Sequence, residues 1–241
     1  MYSHHKFGHG WEGAPPPHTS YIVCSVPRSG SSLLCDVLAA TELAGAPTEY
    51  LDRNQMEAFQ REWSVSGLDE YLQALRDRKT SPNGVFGLKA HFHQLRDELG
   101  GRDLDAEFPG LRLVYIRRRD HVRQAVSWAR AIQTGQWASD HPVRLAVTPR
   151  FDSAEIARLM AQIEREEQHW ERLFAERGEQ PLRIDYEELA QALAPAVRQV
   201  LEFIGVTVPL DFEPPPPTIA KQADELTEDW VRRFRERLAL G

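Results

Sequence analysis

Several things are scarce in this sequence, and each shortage argues against a class of protein. Only two cysteines, Cys24 and Cys35, occur among 241 residues, so a disulfide framework is not expected. No apolar run approaches the roughly 18 to 20 residues that span a bilayer, and the N-terminus lacks the apolar stretch of a signal peptide. We therefore predict a cytoplasmic protein that does not insert into a membrane.

Positive charge is also in short supply. The chain has 29 Lys and Arg against 36 Asp and Glu, a net charge of −7, whereas a nucleic-acid binder needs a basic excess to contact phosphates. Nucleic acid is therefore not an expected partner. Residues 1–19 hold four of the nine histidines and three consecutive prolines; this composition indicates a flexible lead-in rather than a metal site.

What the sequence does have is a series of short β-like runs, three of them continuous and apolar, that alternate with helical patterns. The runs predicted as strands are Ser20–Val26, Gly84–Lys89, Leu111–Arg117 and Leu182–Tyr186. Helical periodicity occurs at Ser31–Thr41, Asp69–Arg78 and Ser153–Glu176, and a last helix is predicted at about Glu225–Leu240. The alternation predicts an α/β fold, with a central parallel sheet and helices on both faces, as one domain over residues 20–241.

The turn after the first predicted strand has the composition of an anion cradle. Backbone N–H groups and the dipole of the following helix point at one spot there, and such a spot attracts phosphate or sulfate. Gly30 permits an unusual backbone conformation, and Arg28 can form a fork of hydrogen bonds to anionic oxygens. The hydroxyls of Ser29, Ser31 and Ser32 can donate. A plain turn with a serine N-cap is the alternative interpretation.

This turn does not match the Walker A pattern, which needs a second glycine and a lysine before the hydroxyl that binds Mg²⁺. The third predicted strand ends in Arg117 and continues into Arg118 and Arg119, whereas a nucleotide triphosphatase usually has a metal-binding acid there. The charge of the anion is therefore predicted to be met by side chains, without a metal. Ser127 lies about two turns into the next helix, and a solvated basic patch is the alternative for this arginine cluster.

These two stretches together carry a family resemblance. VPRSGSSLL resembles the 5′-phosphosulfate loop of sulfotransferases that use 3′-phosphoadenosine 5′-phosphosulfate (PAPS), and IRRRDHVRQAVSWARAIQTGQW resembles their 3′-phosphate site. More narrowly, the chain resembles the bacterial trehalose 2-sulfotransferase family, through AGAPTEYL, PNGVFGLKAHFHQ, IDYEEL and KQADELTEDWVRRFR in the family's order. The resemblance implies a P-loop-like sulfotransferase fold, PAPS as co-substrate, 3′-phosphoadenosine 5′-phosphate (PAP) as product, and a homodimer.

The resemblance also implies a donor pocket. The first turn would hold the 5′-phosphosulfate, with Arg28 neutralising charge on the leaving phosphate. The 3′-phosphate would be held by Ser127 and one arginine, either Arg118, from the alignment of Asp120 with the family's Arg-Pro-Asp, or Arg119, from the eight-residue step to the serine. The C-terminal match of Lys221 and Gln222 implies a segment that closes over the nucleotide; both are predicted cofactor-binding residues.

The catalytic base is the least determined part of the site. Glu49, in APTEYL, matches the family's proposed base and would contact the acceptor, while His91 and His93 are rival bases and acceptor contacts. Lys89, at the end of GVFGLK, would contact acceptor or sulfate. Tyr186, in IDYEEL, is predicted to be scaffold.

The sequence thus predicts a PAPS-dependent sulfotransferase that acts on a hydroxyl of a small acceptor, such as the sugar trehalose. Two alternatives stay open at this point. A P-loop phosphotransferase or kinase would require Mg²⁺, and a catalytically silent nucleotide-binding protein would keep the cradle without turnover.

Overall fold

The computed structural model describes residues 10–11, 13–137, 148–219 and 224–239, and their centre is one parallel sheet. Its strands are β1 (Thr19–Ser25), β2 (Val85–His91), β3 (Arg112–Arg117) and β4 (Leu182–Asp185). Their order in the sheet is β2-β1-β3-β4, and every neighbouring pair is parallel. The predicted α/β fold with a central parallel sheet is therefore confirmed, and each strand ends within two residues of its predicted bounds.

Helices connect these strands and cover both faces. They are α1 (Ser31–Ala40), α2 (Arg53–Trp63), α3 (Gly67–Lys79), α4 (Phe92–Leu99), α5 (Leu104–Glu107), α6 (His121–Thr134), α7 (Ser153–Arg177), α8 (Tyr186–Gln191), α9 (Leu193–Phe203) and α10 (Glu225–Leu238). The four helices predicted by periodicity correspond to α1, α3, α7 and α10. None of the helices in the described ranges is long and apolar enough to cross a bilayer.

The central strand β1 explains why its sequence is a continuous apolar run. Ile22 and Cys24 point into a cluster with residues of α3, α6, α7 and α10, while Tyr21 and Val23 point into a second cluster with α1 and α9. Successive side chains of a strand face opposite sides, so a strand covered on both faces needs apolar residues at every position. Both cysteines are buried and free.

The carboxyl ends of the four strands meet at one edge of the sheet, and the helices that follow them begin there. Residues 41–52, between α1 and α2, also reach this edge, because Lys89 N of β2 donates to Thr48 O at 2.9 Å. Trp170 of α7 is fully buried and donates from Nε1 to Ser25 O at 3.0 Å, which fixes the end of β1. Residues 1–9 and 12 of the predicted lead-in lie outside the described residues, and Thr19 is the first residue of β1.

Candidate active site

The turn between β1 and α1 has an open helix N-terminus. Gly30 is the N-cap residue of α1, with φ of 93°, and it has no side chain with which to cap the helix. The first N–H groups of α1 can therefore face a ligand. Arg28 also has a left-handed backbone, with φ of 66°, which is a costly conformation for a residue with a side chain.

The ring of Tyr186 closes the back of this turn and accounts for the glycine. Tyr186 is the first residue of α8, immediately after β4. A methyl group at Gly30 would overlap the Cδ2 edge of this ring. The sequence interpretation of Tyr186 as scaffold therefore needs an addition, because its ring forms part of the cradle wall.

Replacing Gly30 by alanine should cost more than the backbone strain of a residue with positive φ, because the added methyl group also collides with Tyr186. Gly178, after α7, offers a matched control, because it also has a positive φ, 64°, and a methyl group there meets no atom within 4 Å. We expect Gly178→Ala to cost about 1 kcal/mol in the free energy of unfolding and to leave unchanged any affinity for PAP, the nucleotide that the sequence resemblance implies. Gly30→Ala should cost more and weaken PAP binding at least tenfold, measured by urea unfolding and calorimetry; equal effects of the two variants would contradict the role of Tyr186.

Arg28 connects the turn to α6. Its Nε donates to Ser127 Oγ at 2.9 Å, and its Nη1 donates to the carbonyl oxygen of Trp137. Burial lowers the pKa of Arg28 to about 10, and repulsion from the neighbouring Arg118 contributes to the shift. Two guanidinium groups close together in a buried place are costly, and an anion between them would relieve that cost.

The structure separates the two candidate arginines after β3. The Arg118 guanidinium carbon lies over the Tyr186 ring at 4.6 Å from its centroid, and Arg118 Nε is buried without a hydrogen-bond partner among the described residues. Burial lowers the pKa of Arg118. The Arg119 side chain is 54% exposed and lies 3.5–3.6 Å from three carboxylates: Asp185, Glu187 and Glu188. Arg118 therefore lies beside the cradle, whereas the charge of Arg119 is met by acids.

The three serines of the turn differ in their surroundings. Ser29 is fully buried and its Oγ has no hydrogen-bond partner among the described residues, while Ser31 is also buried. Ser32 Oγ accepts from Lys89 Nζ at 3.1 Å.

Gln124 of α6 supports the turn by donating from Nε2 to Pro27 O at 2.9 Å. Sequence reasoning missed this residue, because one polar residue on an amphipathic helix gives no signal.

Glu49 lies next to this turn, and its carboxylate is held by three side chains. Its Oε1 is 2.6 Å from Lys89 Nζ, and its Oε2 accepts from Gln94 Nε2 at 3.0 Å and lies 3.6 Å from His91 Nε2. Burial would raise the pKa of Glu49, but the Lys89 ammonium, together with the hydrogen bonds from Lys89 and Gln94, holds the pKa well below its usual range. Because Lys89 also contacts Ser32, it connects the carboxylate to the anion cradle.

His91 belongs to this cluster, and His93 lies at its periphery. Burial lowers the pKa of His91 to about 4, despite the attraction of Glu49. Its Nδ1 lies 3.1 Å from Ser25 O, an atom that only accepts, so Nδ1 carries the proton and Nε2 is left as an acceptor. His93 is exposed, with its ring centroid 6.0 Å from that of His91.

The lowered pKa of His91 should appear in the pH dependence of stability. The unfolded chain takes up this proton near pH 6.5 and the folded chain only near pH 4, so stability is lost as the pH falls through this window. From pH 7 to pH 5 the loss due to His91 is about 2 kcal/mol. Urea unfolding at pH 7 and pH 5 gives the free energy of unfolding of wild type and of His91→Gln. Between these pH values the variant should lose about 2 kcal/mol less than wild type. Equal losses would contradict a buried neutral histidine.

Lys221 and Gln222 lie outside the described residues, but residues on either side of them are anchored to α1 and α6. Thr218 donates from N and Oγ to the Asp36 carboxylate of α1, at 2.6 Å each. Asp224 is held by Arg130 of α6, with an Nη2–Oδ2 separation of 2.8 Å. Among the described residues, no three His, Cys, Asp or Glu side chains are grouped as in a metal site.

Comparisons with known proteins agree with this geometry. The family model described as Stf0 sulphotransferase matches residues 20–237. A trehalose 2-sulfotransferase of Mycolicibacterium smegmatis is 32% identical, over 90% of this chain and 94% of the relative, and that of Mycobacterium tuberculosis is 30% identical, over 89% and 94%. A solved sulfotransferase from Alicyclobacillus acidocaldarius has the same fold, with a TM-score of 0.50, 13% identity and 94% of each chain covered.

Proposed function

Because the chain belongs to the Stf0 sulphotransferase family, we propose that it moves a sulfuryl group from PAPS to a hydroxyl of a sugar. Trehalose is the first acceptor to test, since both curated relatives carry that name. One observation supports this proposal above the others: Lys89 contacts both Ser32 of the anion cradle and the Glu49 carboxylate. A donor site and a proton acceptor therefore adjoin.

The described residues fit the charge of PAPS. Its 5′-phosphosulfate would lie on the open N-terminus of α1, with Arg28 and the hydroxyls of Ser31 and Ser32. Its 3′-phosphate would lie by Arg118 and Ser127, where the unpartnered Arg118 Nε can donate. Lys221 and Gln222 belong to the proposed donor site only by family resemblance. PAPS supplies an activated sulfuryl group with a phosphate leaving group.

The side chains at the edge of the sheet perform the chemistry by position and charge. Arg28 and the N–H groups of α1 stabilise negative charge on the leaving phosphate. Glu49, whose pKa is held below its usual range by Lys89, accepts the proton of the acceptor hydroxyl as that oxygen bonds to sulfur in line with the leaving group. The Lys89 side chain can move so that its ammonium contacts the sulfuryl oxygens and no longer Glu49. Loss of this ion pair would make Glu49 a stronger base. His91 and His93 border the proposed acceptor side.

The test is turnover of purified protein with PAPS and trehalose, followed by release of PAP and by mass spectrometry of the sugar. Calorimetry with PAP in the presence of EDTA, beside ATP with Mg²⁺, accompanies it. We expect sulfated sugar and micromolar PAP binding without metal. Binding of ATP with a strict Mg²⁺ requirement and no response to PAP would overturn the proposal in favour of a phosphotransferase, and PAP binding without turnover of any sugar would indicate a silent nucleotide-binding protein.

Self-association belongs to the same proposal, because the sequence resemblance implies a homodimer. Light scattering coupled to gel filtration tests it directly. A mass near twice 27.5 kDa is expected, and a monomeric mass at all concentrations would contradict it.

A further inference from the structure

Gln94 is the last residue of the PNGVFGLKAHFHQ match, and the sequence analysis assigned it no role in the site. It is the third residue of α4, and its side chain is buried. Its Oε1 accepts from the backbone N–H of His91 at 2.9 Å, and its Nε2 donates to Glu49 Oε2 at 3.0 Å. The first contact is an ordinary way to satisfy a helix N-terminus. The second contact is not needed by the helix.

The orientation of this amide is fixed by chemistry at both ends. A backbone N–H only donates, so the atom that faces His91 N is the amide oxygen. An ionised carboxylate only accepts, so the atom that faces Glu49 is the amide nitrogen. Each contact selects the same orientation, and the buried amide is therefore held in one position.

We propose that Gln94 is the positioning residue that fixes the plane of the Glu49 carboxylate and aims it at the acceptor hydroxyl. This inference rests on the proposed function. Lys89 holds the other carboxylate oxygen, but its ammonium also contacts Ser32, so it is shared between Glu49 and the anion cradle. When Lys89 turns toward the donor, Gln94 remains as the contact that fixes the plane of the carboxylate.

Other charged groups also face Glu49 and must be considered in any pH test. Lys89 and His91 come from β2; the Lys89 ammonium favours the ionised carboxylate, whereas His91 is neutral at working pH because burial lowers its pKa to about 4. Asp52, the N-cap of α2, and Cys35 of α1 interact with it as well. Burial raises the pKa of Asp52, and burial raises that of Cys35 to about 12, so the thiol is neutral at working pH.

The decisive variant is Gln94→Glu. It keeps an oxygen for the His91 N–H but turns the donor that faces Glu49 into a second carboxylate. Two adjoining carboxylates share a proton, so the acid limb of the kcat profile should move up by at least about one pH unit. Gln94→Met removes the contact without adding charge, and kcat should fall about tenfold with little change in PAP affinity.

Two further measurements distinguish a role of Gln94 in positioning Glu49 from a role in the stability of the fold alone. Gln73→Glu makes the same substitution on an exposed position of α3, and its profile should match wild type. Carbon-13 NMR of proteins labelled at the glutamate carboxyl, assigned with Glu49→Gln, reports the titration of Glu49 without turnover. We expect no Glu49 titration from pH 5 to 9 in wild type and a titrating carboxyl in Gln94→Glu.

The outcomes separate this inference from the proposed function. Absence of sulfotransfer by wild type would remove the proposed function, and NMR would still report the pairing of Gln94 with Glu49. Wild-type turnover combined with an unmoved profile and an unmoved Glu49 titration in Gln94→Glu would overturn the inference. A lower melting temperature alone, with the profile unchanged, would also overturn it, because only a structural role would then remain.

Discussion

Glu49→Gln is expected to lower kcat for sulfotransfer by about 10² to 10⁴-fold, the usual contribution of a general base. Glutamine has nearly the same shape but no charge, and it cannot take a proton from the acceptor hydroxyl. The measurement is PAP release at saturating PAPS and sugar.

The same variant should bind PAP at least as well as wild type. In the wild-type protein the Lys89 ammonium is 2.6 Å from the Glu49 carboxylate and also contacts Ser32 of the cradle. Loss of the carboxylate leaves that ammonium without its ion-pair partner, so its attraction to an anion in the cradle increases. Unchanged or tighter PAP binding together with lost turnover would separate the base from the donor site.

Glu57 provides a control for the loss of a carboxylate, and His91 is the rival general base. Glu57→Gln neutralises a carboxylate on α2 whose side chain is 55% exposed and 4.0 Å from Arg61, and it should leave kcat within about twofold, because such surface pairs contribute little. If Glu49→Gln kept kcat within threefold of wild type, Glu49 would not be the base. His91, whose Nε2 is left as an acceptor, would then take that role, and His91→Gln would abolish turnover.

The fold could be predicted from the sequence because its signals are local. Three of the four strands lie in short apolar runs, and burial on both faces of β1 makes its run continuous; β4, with the sequence LRID, is the exception. The turn after β1 was also local, since Arg28, Gly30 and the serines are adjacent in sequence. These features depend on period and composition, which a sequence displays directly.

The contacts within the site could not be predicted in the same way, because they join distant segments. The pairing of Glu49 with Gln94 depends on how residues 41–52 follow the edge of β2. Glu49 itself was identified only through family resemblance; without it, the residue is one acid in a loop. The wall formed by Tyr186 depends on the neighbouring positions of β4 and β3 in the sheet, and no local pattern shows that order.

The choice between Arg118 and Arg119 also could not be made from the sequence, and replacing the correct arginine should have a large effect on PAP affinity. Two alignments of one motif favoured different arginines, and adjacent residues after a strand point to different sides. In the structure Arg118 packs on Tyr186 beside the cradle, whereas Arg119 faces acids at the surface. We therefore expect Arg118→Ala to weaken PAP binding about 10- to 100-fold, the loss of a hydrogen bond between charged groups.

Arg119→Ala is the matched control, because it removes the same side chain one residue later. Its ion pairs are long and exposed, so the change should leave PAP affinity within about threefold. Calorimetry with adenosine 5′-monophosphate, which lacks the 3′-phosphate, completes the test. Arg118→Ala should remove most of the preference for PAP over the monophosphate, while Arg119→Ala should keep it. The opposite pattern would assign the 3′-phosphate to Arg119, and equal losses of both ligands in Arg118→Ala would show that the cradle as a whole had been disturbed.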